Sequence, residues 1–303
     1  MKILVTGREG QVVRSLVERA RPLGNVGVVA VGRPALDLTE PASIAREIER
    51  HRPDIVVSAA AYTAVDASED DLDLAMRINA DGAGAVARAA AMIDAPIIHL
   101  STDYVFSGDS ARPYVEDDVP GPKTAYGSSK LAGEQTVAAA NPQHVILRTA
   151  WVYSPFGRNF VRTMLGLAME RDEISVVSDQ WGNPTSALDI ADGILHIAAR
   201  LDQTRDPQSF GIFHLAGTGS TNWSGLAEQV FSYSRALGGP WAQASQVPAS
   251  SYPSKAPRPV NSRLNTDKLD RIYNWRAPQW RDSCAEVVRR LVVKGARQGW
   301  APA

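Results

Sequence analysis

Five short apolar runs, each bounded by glycine, proline or aspartate, are spaced through the first 150 residues with a helical pattern in every gap. They are "ILVT" at 3–6, "VGVVAV" at 26–31, "DIVVSA" at 54–59, "PIIHLS" at 96–101 and "VILRT" at 145–149. A strand exposed on one face alternates apolar and polar residues. These runs do not alternate, so they suit a parallel sheet covered on both faces. The helical patterns fall at about 11–21, 42–51, 72–92 and 125–140. Repeated β-α units of this kind predict an α/β fold built on a doubly wound parallel sheet, with its ligand at the carboxyl ends of the strands.

After Thr149 the alternation loosens. "RNFVRTMLGLAMERDE" reads as a helix, "ISVVSD" as a strand, "ALDIADGILHIAARL" as a helix, "GIFHLAG" as a strand and "NWSGLAEQVFSYSRAL" as a helix. Residues 240–262, rich in Pro and Ser, read as an extended segment crossing the surface. The expected organisation is a Rossmann-like dinucleotide-binding domain over 1–150, joined by returning elements from about 185–218. A smaller, mainly substrate-binding lobe takes up 151–303.

Composition narrows the function. The net charge of −1 gives no electrostatic reason to expect nucleic acid or an anionic membrane as partner. One cysteine, Cys284, excludes an intramolecular disulfide and a Cys-rich zinc site, and the five histidines never approach ligand spacing. No apolar run reaches the roughly 18–20 residues of a membrane span. "MKILVTG" enters a strand at once, without room for a signal peptide. The expectation is a soluble, cytoplasmic protein.

The loop "TGREGQVV" (6–13) joins the first strand to the first helix. Gly7 and Gly10 permit a tight turn and let backbone N–H groups approach a pyrophosphate at the helix N-terminus. Val13 takes the place of the usual third glycine. An acid ending strand two would bind adenosine ribose hydroxyls, whereas an arginine suits a 2′-phosphate. Here that strand runs into Gly32 and Arg33, and the next acid is Asp37, which favours NADPH and leaves NADH open.

Strand four ends in "STDYVFSG" (101–108), where an α/β sheet presents its chemistry. Further on, "TAYGSSKLAGEQ" puts Tyr126 and Lys130 one helical turn apart on one face. A tyrosine of ordinary pKa near 10 is a poor acid at neutral pH. A nearby ammonium and an oxidised nicotinamide would pull that pKa down, and Lys130 can also bond the nicotinamide ribose. Gly127, Ser128 and Ser129 are small enough to let a cofactor lie close. The chemistry expected is hydride transfer to a carbonyl carbon, with Tyr126 protonating the alkoxide and the Thr102 hydroxyl holding the same oxygen. His99, inside strand four, reads as core.

With these elements in order, the chain resembles the dTDP-4-dehydrorhamnose reductase family of the extended short-chain dehydrogenase/reductases. The resemblance runs through "VTGREGQ", "SAAAYTAVDASE", "INADGAGAVA", "HLSTDYVFSGD", "YGSSKLAGEQ", "LRTAWVYSPFGRNFVRTML", "VVSDQWGNPTS" and "RPVNSRLNTDKL". It implies NAD(P)H-dependent reduction of the 4-keto group of a dTDP-sugar, supplying dTDP-L-rhamnose to cell-surface polysaccharide. It also implies that Gly10, Gln11 and Val12 touch the cofactor phosphates and that Asp37 and Leu38 flank the adenine. Ala61, Tyr62 and Thr63 would line the cofactor, with Asn79 as a supporting asparagine. Val65, Thr102, Asp103, Tyr104 and Trp151 would contact the sugar nucleotide; for Trp151 the other reading is an aromatic packed at the lobe interface. Some members hold Mg²⁺ between carboxylates at a dimer interface. Ser15 and Leu188 stand at those positions here, and neither is a hard-cation ligand. The expectation is therefore no metal and a monomer or weak homodimer. Two alternatives stay open: a 4-ketoreductase giving the other C4 epimer, and a non-catalytic cofactor-binding subunit such as that of a methionine adenosyltransferase. A dehydratase would need a second carboxylate after Asp103, where Tyr104 stands.

Overall fold

The computed structural model describes residues 1–298. The first half runs β1 (Lys2–Thr6), α1 (Gln11–Ala20), β2 (Gly27–Val31), α2 (Pro41–His51), β3 (Ile55–Ser58), α3 (Val65–Ser68), α4 (Leu72–Met76), a π-helical segment (Arg77–Gly82), α5 (Ala83–Met92), β4 (Ile97–Thr102), α6 (Ala125–Ala140) and β5 (His144–Thr149). The second half runs β6 (Val152–Tyr153), α7 (Phe160–Leu167), β7 (Glu173–Val177), β8 (Trp181–Gly182), β9 (Thr185–Ser186), α8 (Ala187–Gln203), β10 (Gly211–His214), β11 (Thr221–Asn222), α9 (Trp223–Ala236), β12 (Gln243–Val247), α10 (Asp267–Tyr273) and α11 (Trp280–Gln298).

Six strands form one parallel sheet in the order β10-β5-β4-β3-β1-β2. The unbroken apolar runs follow from its two covered faces. Ile3 and Val5 pack with Val13, Leu16 and Ala20 of α1 and with Ile190, Ile194 and Ile197 of α8. Leu4, between them in sequence, points the other way, to Ile44 and Ile48 of α2, Val86 of α5 and Val137 of α6. Each such side chain contributes roughly 1.5–3 kcal/mol by leaving water, so both faces must be apolar. From β1 the chain turns to β2 on one side and later to β3 on the other, which opens a crevice between the ends of β1 and β3.

A separate cluster cores the second half, with Val161 and Leu165 of α7, Ile174 and Val176 of β7, Leu226 and Val230 of α9, and Val287, Val288 and Leu291 of α11. Three expectations are revised here. The helix expected from residue 158 spans only Phe160–Leu167, where Asn159 Oδ1 accepts from Arg162 N and opens it; beyond Ala168 the backbone turns toward β7. The helix expected over 72–92 is broken by the π segment at Arg77–Gly82. Residues 240–262 are only partly a surface crossing: β12 pairs with β7, and Ala256, Asn261 and Ser262 are buried. Among the described residues no helix is long and apolar enough to cross a membrane.

Candidate active site

At the carboxyl end of β1, Thr6 Oγ1 accepts from the N–H groups of Ala59 and Ala60, both at 3.0 Å, and ties the first crossover to the end of β3. Gly7 follows with φ +103°, a conformation that favours glycine, and a Cβ there would lie 3.3 Å from Val13 Cγ2. Val13, where a third glycine was expected, is thus buried filler beneath the turn. Gly10 caps α1 without a side-chain hydrogen bond, and Gly10, Gln11 and Val12 line the cleft above. First-turn N–H groups that no side chain caps form a cradle that suits an anion.

Asn79, in the π segment, fixes the next stretch of floor. Its Oδ1 accepts from Tyr62 N at 2.8 Å, and its Nδ2 donates to Tyr62 O and Ser129 Oγ, each at 3.0 Å. An asparagine thereby holds the loop after β3 against α6. Such π segments recur at functional sites because they re-aim one residue.

β4 delivers Thr102 and Asp103 to the cleft, both buried. Thr102 Oγ1 donates to Asp103 Oδ1 at 3.0 Å and accepts from Tyr104 N at 3.2 Å. Burial pushes the Asp103 carboxyl up to about 6, against the pull of the nearby Ser262 and Thr102 hydroxyls. Its Oδ2 has no hydrogen-bond partner among the described residues.

Thr124 caps α6 through Gly127 N at 2.9 Å. The helix then presents Tyr126 and Lys130 to the same cleft. The ring of Tyr126 lies edge-on to Tyr104 at 5.6 Å. The small residues between do a different job from the one expected of them. A Cβ on Gly127 would lie 2.2 Å from Tyr104 O, and Ser129 is buried against Asn79. Their size seats α6 on its protein neighbours instead of opening room for a ligand.

The electrostatics also differ from expectation. Burial raises the Tyr126 phenol above its ordinary pKa, the Asp103 charge adds to this, and only the Thr102 hydroxyl favours the phenolate. The Lys130 ammonium is anchored on β4: Nζ donates to Leu100 O at 2.7 Å and lies 3.3 Å from His99 Nε2. Burial lowers this lysine to about 8, with Glu134 working against it. In the chain alone, the phenol is therefore a held proton, not a pre-ionised one.

Trp151, after β5, has φ +49° and forms the opposite wall. Its indole stacks on Trp223 at 3.6 Å and 8°, and a Cβ on Gly182 would lie 2.4 Å from it. Trp151 is thus packed against Trp223 and Gly182 and also lines the cleft.

The cleft measures about 1290 Å³, above the ~300–1,000 Å³ of a single drug-sized site, so it has room for two ligands. Gly7, Gly10, Gln11, Val12, Ala61, Thr63, Val65, Thr102, Asp103, Tyr104, Tyr126, Lys130 and Trp151 all line it. Arg33, Asp37, Leu38 and Tyr62 do not. Arg33 is exposed; Asp37 is held below the usual carboxylate range by the Thr39 N–H and hydroxyl, with Arg33 nearby adding to this. Leu38 instead packs on the π segment, where a Cβ on Gly82 would lie 2.6 Å from its carbonyl oxygen. Sequence reasoning missed Arg258, Ser262, Arg171 and Trp223 as lining residues. Ser15 and Leu188 are both buried, and the Ser15 hydroxyl donates to Gln11 O.

A glycine-turn cradle, a strand-end Thr and a helical Tyr and Lys in one cleft define a nicotinamide-dependent reductase of the extended short-chain dehydrogenase/reductase class. The RmlD substrate binding domain family matches residues 1–293. A dTDP-4-dehydrorhamnose reductase of Sinorhizobium fredii is 46% identical, over 97% of this chain and 99% of its own. A solved dTDP-4-dehydrorhamnose reductase of Clostridium acetobutylicum superposes with TM-score 0.88 at 35% identity, over 96% of this chain and 99% of the other. That of Bacillus anthracis, in complex with NADP, gives TM-score 0.86 at 34% identity, over 94% and 98%. The chain belongs to the dTDP-4-dehydrorhamnose reductase family.

Proposed function

We propose that this protein reduces the 4-keto group of dTDP-4-dehydro-L-rhamnose to give dTDP-L-rhamnose, with NADPH as the preferred reductant. The observation that carries the reading is the convergence of Thr102, Tyr126 and Lys130 on a cleft floored by the Gly7–Val12 cradle. The cradle fits a dinucleotide because its turn is glycine and its helix cap carries no side chain. Gly10, Gln11 and Val12 would hold the phosphates, and Ala61 and Thr63 would flank the rest. NADPH bound there supplies the hydride.

The protein's own part is proton handling and orientation. Thr102 Oγ1, its proton turned from Asp103 Oδ1, and the Tyr126 hydroxyl would both meet the carbonyl oxygen, and Tyr126 would hand over its proton as charge develops. A phenol kept protonated by burial and by Asp103 is suited to that direction of reaction. Lys130, with its ammonium anchored from behind, would turn its remaining N–H to a ribose hydroxyl. Trp151 would offer an aromatic wall to the sugar nucleotide. The turn after Thr102 carries Asp103 and then Tyr104, which supports reduction over dehydration. The deciding experiment follows NADPH oxidation with dTDP-4-dehydrorhamnose and reads the C4 configuration of the product by NMR. Formation of the other epimer, or no oxidation with this substrate, rejects the assignment.

A further inference from the structure

Lys130 reaches its place through a contact that the reductase chemistry leaves unexplained. Ser58 from β3, His99 from β4 and Lys130 from α6 meet beneath the cleft floor, and none is more than 3% exposed. Ser58 Oγ lies 3.1 Å from His99 Nδ1, and His99 Nε2 lies 3.3 Å from Lys130 Nζ. Helix α6 comes this close because residue 133 is glycine: a Cβ there would lie 2.2 Å from Asn79 O and 3.7 Å from His99 Nε2.

An ammonium can only donate, so the nitrogen facing it must carry the lone pair. That puts the imidazole proton on Nδ1, where it donates to Ser58 Oγ. We infer that His99 is a positioning residue: a neutral imidazole, set in one tautomer by Ser58, that anchors the Lys130 ammonium together with Leu100 O and aims its third N–H into the cleft. The inference rests on the catalytic reading of Lys130 and adds the means by which that charge is kept in a dry place.

The surroundings leave His99 as the group best placed for this. On α6, Tyr126 lies one turn before Lys130 and Glu134 one turn after. Glu134 is engaged by Arg148 of β5, at 2.7 and 2.9 Å, and by Ser101 Oγ at 2.5 Å. Asp103 and Tyr104 lie on the Tyr126 side, after β4. The π segment contributes Asn79, which carries no charge. Burial and the Lys130 charge hold His99 well below its ordinary pKa, so it remains an acceptor across the working range.

The test reads Lys130 directly. The chain has six lysines, so ¹³Cε labelling gives few signals, and Lys130→Met assigns the relevant one in cofactor-free protein. His99→Phe keeps bulk and removes the acceptor from the charged form. The Lys130 titration should then move to lower pH by roughly one unit or more, the cost of a lost hydrogen bond to a charged group. The alkaline limb of kcat should follow it. His99→Gln, which offers a carbonyl oxygen, should restore most of the shift. If His99→Phe does not fold, as read by its melting temperature, Ser58→Ala takes its place and should move the titration the same way by less. A titration unmoved in the folded variant, or moved equally by His99→Gln, overturns the inference. Turnover retained by Lys130→Met would instead sink the catalytic reading on which it rests.

Discussion

On one wall of the cleft, Thr102 and Asp103 are joined by a hydrogen bond, Lys130 is anchored on Leu100 O, and the Tyr126 ring lies edge-on to Tyr104. On the facing wall, Trp151 is held by the Trp223 ring and the bare backbone at Gly182. The first wall fixes protons and charges, whose effects change steeply with distance. The second fixes a flat apolar surface, which tolerates a range of poses. Damage to the first should therefore appear in turnover, and damage to the second in substrate affinity.

The largest effect that could break this contrast is at Tyr126. Tyr126→Phe keeps the ring and removes the proton, so kcat should fall ~10²–10⁴-fold with NADPH affinity unchanged. Single-turnover rates near wild type would end the assignment. Next comes Trp151→Ala, which should weaken dTDP-sugar affinity without touching cofactor affinity. It should also cost stability, read as a lower melting temperature, by less than the ~3–5 kcal/mol of a fully buried aromatic, because Trp151 is only half-buried. Destabilisation with unchanged sugar-nucleotide affinity would confine Trp151 to packing. The smallest effect is outside both walls. If Arg33 meets a 2′-phosphate, Arg33→Ala should weaken NADPH by ~1.5–3 kcal/mol relative to NADH. Equal losses for both cofactors would make Arg33 a surface residue.

The two walls also differ in how far the sequence reveals them. All five first-half strands lie within a residue or two of their apolar runs, because two-sided burial leaves a local signature. Tyr126 and Lys130 could be paired by helical spacing, and Thr102 joined to them by its place at a strand end. Long-range partners carry no such mark. Nothing near Trp151 announces Trp223, and His99 read as core because its contact with Lys130 depends on how β4 meets α6. Gly127 and Ser129 looked like space for a ligand, whereas neighbouring backbone and side chains fill it. Helix α11 is the instructive omission: Cys284, Val287, Val288, Leu291 and Val292 form a stripe at helical spacing that could have been read.

The covering of α1 by α8 has a consequence for synthesis. A ribosome releases β1 to β5 while the residues that will shield Val13, Leu16 and Ala20 are still untranslated. At ~5–20 residues per second, the ~50 residues from Thr149 to Leu201 take roughly 3–10 s to appear. During that interval the nascent sheet shows one greasy flank and lacks its β10 border. A chaperone should find its foothold there, and a chain stopped near residue 150 should clump instead of surviving as a free-standing cofactor binder.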